Sequence, residues 1–168
     1  TEKYTERLNG MTDRYNKFEH ESLQRGYEAA ASEAIKTAHE IIDNKSPSEM
    51  TDDEMKKVIG AYVAADTAVG KLDDGRAKKT ELQAELAELK KTVEEIESKY
   101  AQKVIESIWG DLKNGTLDKT KLEALKKTLD DLKDYIPDSL KESYDQVVDA
   151  VQAAIDAIDL VNEASALI

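Results

Sequence analysis

The chain has 168 residues, with 36 acidic and 24 basic side chains, a net charge of −12 and no cysteine. The missing cysteine excludes disulfides and thiolate metal sites. The acidity argues against nucleic acid or an anionic membrane as a direct partner, because both select basic patches. Charged residues make up 36% and aromatics 5% of the chain, and there are two prolines. That mixture, rich in Ala, Leu, Glu and Lys, predicts an all-α fold. No apolar run reaches the roughly 18 residues of a membrane span, and Thr1-Glu2-Lys3-Tyr4 shows no signal-peptide pattern. The compartment stays open, since cytoplasmic, virion and secreted settings all suit such a chain.

The first predicted helix covers about residues 2–43. Tyr4, Leu8, Met11, Tyr15, Phe18 and Ser22 alternate steps of four and three, the rhythm of a coiled-coil seam. Tyr27, Ala31, Ala34, Ala38 and Ile41 resume it. Tyr15 and Phe18 are expected to fill the core beside Leu and Ala, with a docking face as the alternative. Asn9-Gly10 reads either as a turn or as a weak point within the helix. If it is a turn, Thr12 would cap the helix that follows.

Asn44-Lys45-Ser46-Pro47-Ser48 breaks the helical pattern, since Pro47 disfavours helix at Ser46. Thr51-Asp52-Asp53-Glu54 is a capping box with acids facing the positive end of the helix dipole. A second helix over about 51–70 follows, burying Met55, Val58, Ile59, Tyr62, Ala65 and Val69. Asp73-Asp74-Gly75 places a loop near 71–79. The alternative is one kinked helix from Thr51 to Lys113. Thr80 and Gln83 suggest a second capping box, opening a third helix over about 80–113. Leu82, Leu86, Leu89, Val93, Ile96, Tyr100, Val104 and Ile108 carry its stripe. Trp109 reads as a cap on one end of the core. Asn114-Gly115 stops the helix.

A fourth helix over about 117–135 carries Leu122, Leu125, Leu129, Leu132 and Ile136. Pro137 then breaks the chain, and Ser139 with Glu142 offers a capping box for a fifth helix over about 138–167. The order long, short, long, short, long predicts one domain over 1–168, an elongated antiparallel bundle of about five helices with coiled-coil-like packing.

Catalytic patterns are missing from the sequence. Neither histidine, His20 or His39, lies three residues after a glutamate, as a ferritin-like site requires. Asp111 to Asp118 fails the calcium-loop pattern, with Lys113 at the third position and Leu122 at the twelfth. There is no phosphate-cradling glycine loop and no nucleophile elbow. The sequence therefore calls for no cofactor and no metal, and argues against an enzyme.

The fifth helix has two unlike stripes. Tyr144, Val147, Val148, Val151, Ala154, Ile155, Ile158 and Val161 form the apolar one. Asp145, Asp149, Gln152, Asp156, Asp159 and Glu163 form the other, and no Lys or Arg occurs from Glu142 to the end. Like charges at this spacing destabilise an isolated helix. Asp145, Asp149, Asp156, Asp159 and Glu163 are therefore candidate partner-binding residues. Lys90, Lys91, Lys99, Lys126, Lys127 and Lys133 are candidates to neutralise them. The leading expectation is a non-enzymatic structural or protein-interaction module, such as an assembly or virion component or a bacterial surface binding domain. It would bind a protein partner or associate with itself, with the oligomeric state open. The alternative is an acidic inhibitor that mimics nucleic acid, with carboxylates recurring about every 5 Å along a helix.

Overall fold

A computed structural model describes residues 1–115 and 117–168. The chain is all-α: it has five α-helices, and no strand occurs among the described residues. They are α1 (Glu2–Ile42), α2 (Asp52–Gly70), α3 (Ala77–Lys113), α4 (Lys119–Leu132) and α5 (Lys141–Ala166). Short 3-10 turns cover Pro47–Glu49, Lys133–Tyr135 and Asp138–Leu140. Contacts divide the chain into two compact units, Thr1–Val93 and Glu94–Ile168, with α3 contributing to both.

In the first unit α1 and α2 run antiparallel. Lys45, just past α1, pairs with Glu54 in the first turn of α2 at 2.9 Å. Gln24 bonds Lys71, just past the end of α2. Thr51 caps α2 as expected: its Oγ1 accepts from the Glu54 N–H, and the Glu54 carboxylate accepts from the Thr51 N–H. Ala31 and Ile35 of α1 pack with Ala65, Ala68 and Val69 of α2 and with Leu82 and Leu86 of α3. Alanines on α1 and α2 let the backbones approach, and the leucines of α3 fill the remaining volume.

The break between α2 and α3 is real, so the single kinked helix is excluded. Gly75 sits there at φ +83°, a left-handed conformation that suits glycine. The third helix begins three residues earlier than Thr80, however, and Thr80 lies inside its first turns rather than capping it. The loop covers residues 71–76, three residues shorter than the expected 71–79. Gly115, at φ +70°, follows the end of α3, as Asn114-Gly115 suggested. Thr116 lies outside the described residues.

In the second unit α4 and α5 are antiparallel. The Tyr144 hydroxyl donates to the Leu129 carbonyl at 2.8 Å, Lys126 reaches Gln152 at 2.9 Å, and Lys119 reaches Asp159 at 2.6 Å. Their shared core includes Leu122, Leu129 and Leu132 facing Val147, Val151 and Ile155. Asp118 caps α4 by accepting from the Lys121 N–H at 2.8 Å. The Ser139–Glu142 box does not form. A 3-10 turn occupies Asp138–Leu140, and α5 starts after Leu140 with no side-chain cap. The expected α5 stripe is covered as far as Ile158, while Val161 is 63% exposed.

The largest departure from expectation is in α1. It runs unbroken through Asn9-Gly10, so there is no turn and Thr12 is no cap. The Thr12 hydroxyl instead donates to the Leu8 carbonyl at 3.0 Å, within the helix. Tyr15 and Phe18 are not in the core: they are 64% and 72% exposed.

The reason is geometric. A helix turns about 100° per residue. The covered positions of the second half of α1 (Gln24, Tyr27, Glu28, Ala31, Ala34, Ile35, Thr37, Ala38, Ile41 and Ile42) centre on one face. Tyr4, Leu8, Met11, Tyr15, Phe18 and Ser22 cluster roughly 160° away from it by the same count. The two stripes have the same rhythm and opposite phase. Only the second meets α2, whose end lies opposite Gln24.

Candidate functional site

Two surfaces stand out once the core is accounted for. The first is the exposed seam of α1. Among residues 1–20 every side chain is exposed, including Tyr4, Leu8, Met11, Tyr15 and Phe18. The seam spans about 27 Å from Tyr4 to Ser22 at 1.5 Å per residue. Two shallow depressions open on this half of the helix. One is lined by Arg7, Gly10, Met11 and Arg14, the other by Phe18, Glu21, Ser22 and Arg25. Five large apolar side chains in one unbroken stripe differ from apolar residues scattered singly, and a contiguous patch of this kind marks an interaction surface.

The seam ends at a polar clamp that fixes the direction of α1. Gln24 is buried, 3% exposed. Its Nε2 donates to the Lys71 carbonyl at 3.1 Å, and its Oε1 accepts from the Asp73 N–H at 2.8 Å. One amide thus satisfies two backbone groups of the α2–α3 turn. Arg76 extends the same contact. Its guanidinium donates to both carboxylate oxygens of Glu21, at 2.8 and 2.7 Å, and to Glu28 at 2.5 Å. Beside them the His20 imidazole meets the Asp73 carboxylate at 2.5 Å. The Arg76 hydrogen bonds hold the Glu21 carboxyl down at about 2, against an ordinary value of 4.5. Lys71 lies 5.5 Å above the Tyr27 ring, adding a cation–π contact one turn further on.

Neither Gln24 nor Arg76, the two side chains that make the clamp, is marked by any sequence pattern. Gln24 is polar at a covered position, and nothing in its neighbours signals a buried amide. Arg76 is the only arginine after Arg25, which was the one available hint.

The second surface is the acidic stripe of α5. Asp145, Asp149, Asp156 and Glu163 are exposed, and Asp159 is half-buried. Asp159 is held by Lys119, and that contact pushes the lysine's pKa up. The Asp156 carboxylate accepts from Gln152, whose own carbonyl accepts from Lys126. Of the lysines considered as neutralisers, Lys126 reaches this face, while Lys91 and Lys99 pair with Glu88 and Glu95 on their own helix. Lys119 is a further neutraliser, lying outside the six considered from sequence. Burial pushes the Tyr144 hydroxyl's pKa up, and Asp130, Asp145 and Asp134 add to the effect. Gln152 and Asp159 are thus tied into α4, while Asp145, Asp149, Asp156 and Glu163 stay exposed.

His39 contacts Asp43 one turn along at 3.3 Å in an exposed i,i+4 pair. No group of three or more potential metal-ligating side chains occurs among the described residues, and no helix among them is long and apolar enough to cross a membrane. Trp109 is half-buried near the end of α3. No family model, no curated protein and no solved structure matches the chain.

Two outcomes follow from the clamp. Gln24→Leu leaves the Lys71 carbonyl and the Asp73 N–H without their partner in a covered site. It is expected to cost about 1–3 kcal/mol, read as a lower urea midpoint for the first unit. The second outcome concerns pH. Glu21 has a depressed folded-state pKa, so its contribution is complete above pH 4.5 and is lost as pH falls toward about 2. Acid titration followed by circular dichroism should show this decline in the wild type. Glu21→Gln should reduce it over that range, leaving the part due to Glu49 and Glu54, whose pKa values are also lowered by their hydrogen bonds.

Proposed function

We propose that this protein is a non-enzymatic interaction module that presents a helical face to another protein helix. The observation carrying this reading is the exposed Tyr4–Phe18 seam on α1. A stripe of large apolar side chains at alternating steps of four and three is the pattern one helix uses to receive another. Tyr is among the residues favoured as interface anchors. The same half of α1 contains Thr5, Asn9, Gly10, Thr12, Asn16 and Ser22, which are weak helix formers. Such a segment gains little from local propensity, and helices in proteins draw most of their stability from packing. A partner on the seam supplies that packing.

The acidic stripe of α5 supports a nucleic-acid-mimicking inhibitor less well. Lys119 and the Lys126–Gln152 contact already engage its middle. A phosphate mimic needs an unbroken outward row, and here the row is interrupted by Gln152 and by Asp159, which is half-buried and paired with Lys119.

A photo-reactive phenylalanine analogue at position 18 tests the interaction reading. Irradiation of the purified chain, and of the chain in extract of the cells that make it, should give a covalent adduct with a polypeptide. The same probe at Lys36, on the polar continuation of that face, should give none. Recovery of the Phe18 probe only at the mass of a single chain in both settings would overturn the reading.

A further inference from the structure

We propose that the partner of the α1 seam is a second copy of this chain, joined as a parallel, in-register two-stranded coiled coil over residues 4–22. The inference rests on the interaction reading above and names its partner.

The heptad register follows from the spacing. Leu8, Tyr15 and Ser22 take the a positions, and Tyr4, Met11 and Phe18 the d positions. The flanking g positions are then Arg7, Arg14 and Glu21, and the e positions are Thr5, Thr12 and Glu19. In a parallel pair each g residue faces the e residue five further along the other helix. That sets Arg14 against Glu19 of the other copy twice, once on each side. Arg7 meets Thr12, and Glu21, already held by Arg76, meets Gly26. No like charges meet. An antiparallel pair centred on the seam, with Leu8 against Phe18 and Met11 against Tyr15, brings Arg14 against Arg14, and the Arg7–Glu21 pairs it would also form must compete with the Arg76 hydrogen bonds that already hold Glu21. Charge complementarity therefore selects the parallel arrangement.

The charge balance of the whole chain points to the same partner. The net charge is −12, yet residues 1–20 contain four acids (Glu2, Glu6, Asp13, Glu19) and four bases (Lys3, Arg7, Arg14, Lys17). The paired segment itself, residues 4–22, has four acids (Glu6, Asp13, Glu19, Glu21) and three bases (Arg7, Arg14, Lys17), a net charge of −1, and the other eleven excess negative charges lie after it. Two copies joined here avoid the repulsion that an acidic chain otherwise meets on self-association.

Area and access are also adequate. A fully buried aromatic ring covers about 150–250 Å². Tyr4, Tyr15 and Phe18 are 74%, 64% and 72% exposed, and Leu8 and Met11 more than half. Their burial amounts to several hundred Å² per copy, on the scale of the roughly 800 Å² per partner of a standard interface. The seam points away from α2, so a second α1 reaches it without displacing the core. The packed half of α1, from Gln24 onward, already supplies the helical nucleus, which lowers the cost of ordering the rest.

The test uses the full chain at tens of micromolar. Sedimentation equilibrium should give twice the mass of one chain. Tyr15→Lys, which places a charge in the middle of the seam and outside the core, should return it to one chain with the α2–α3 packing intact by thermal melting. Arg14→Glu should weaken the dimer about tenfold, and Arg14→Glu with Glu19→Arg should restore it. The chain has no cysteine, so Met11→Cys adds a single thiol. Oxidation should couple two copies through it, because d positions meet themselves only in the parallel register.

A single-chain mass for the wild type, or a trimer, overturns the proposal. So does a dimer that Met11→Cys fails to couple, or one indifferent to the Arg14 charge. A single-chain mass together with a Phe18 photo-adduct to a different protein removes the second copy and leaves the interaction reading standing.

Discussion

Helix α1 is divided by a change of face between Ser22 and Gln24, and the rest of the first unit depends on that division. Beyond it, small residues let α1 pack closely on α2. Before it, the aromatic and aliphatic side chains point the other way. Gln24 and Arg76 stand at the change and lock the α2–α3 turn against α1. A neutral amide saturating a backbone donor and acceptor, and an arginine spanning two glutamates, give that junction a defined geometry. The direction of the exposed seam is set there.

The clamp connects the seam to folding energetics. The seam residues are exposed and pack on nothing in the first unit, so their order depends on continuity with the anchored half of α1. Changes in the clamp should therefore reach the seam, whereas changes in the seam should leave the core of the first unit alone. The second unit works differently. Its polar contacts between α4 and α5, from Tyr144–Leu129 to Lys119–Asp159, lie along one antiparallel pair and leave a mostly solvated acidic face.

Much of the fold was legible in the sequence. The leucine and isoleucine stripes of α3 and α4 follow a regular rhythm that identifies each helix, and in these two helices the stripe is also the covered face. Thr51–Glu54 and Gly115 are local signals whose chemistry acts within a few residues. Phase was not legible. Tyr15 and Phe18 share the rhythm of Ala31 and Ala38 and so look like core positions, but rhythm does not say which side of a helix the partner occupies. That depends on where α2 ends, and hence on long-range contacts. Thr80 and Ser139 do not act as caps: a capping box is only a local preference, and α3 starts at Ala77 and α5 at Lys141. The candidate site shifted accordingly. The α5 carboxylates drew notice because they are a charge bias, whereas the α1 seam was concealed by looking like an ordinary core stripe.

The most direct test of a two-faced α1 is amide hydrogen exchange along that one helix as protein concentration rises. The account predicts that amides of residues 5–20 exchange fast in dilute solution and slow markedly as the seam becomes occupied. Those of residues 27–38 should stay protected and unchanged throughout. Protection over residues 5–20 that is already complete in dilute solution, or that never responds to concentration, would contradict it.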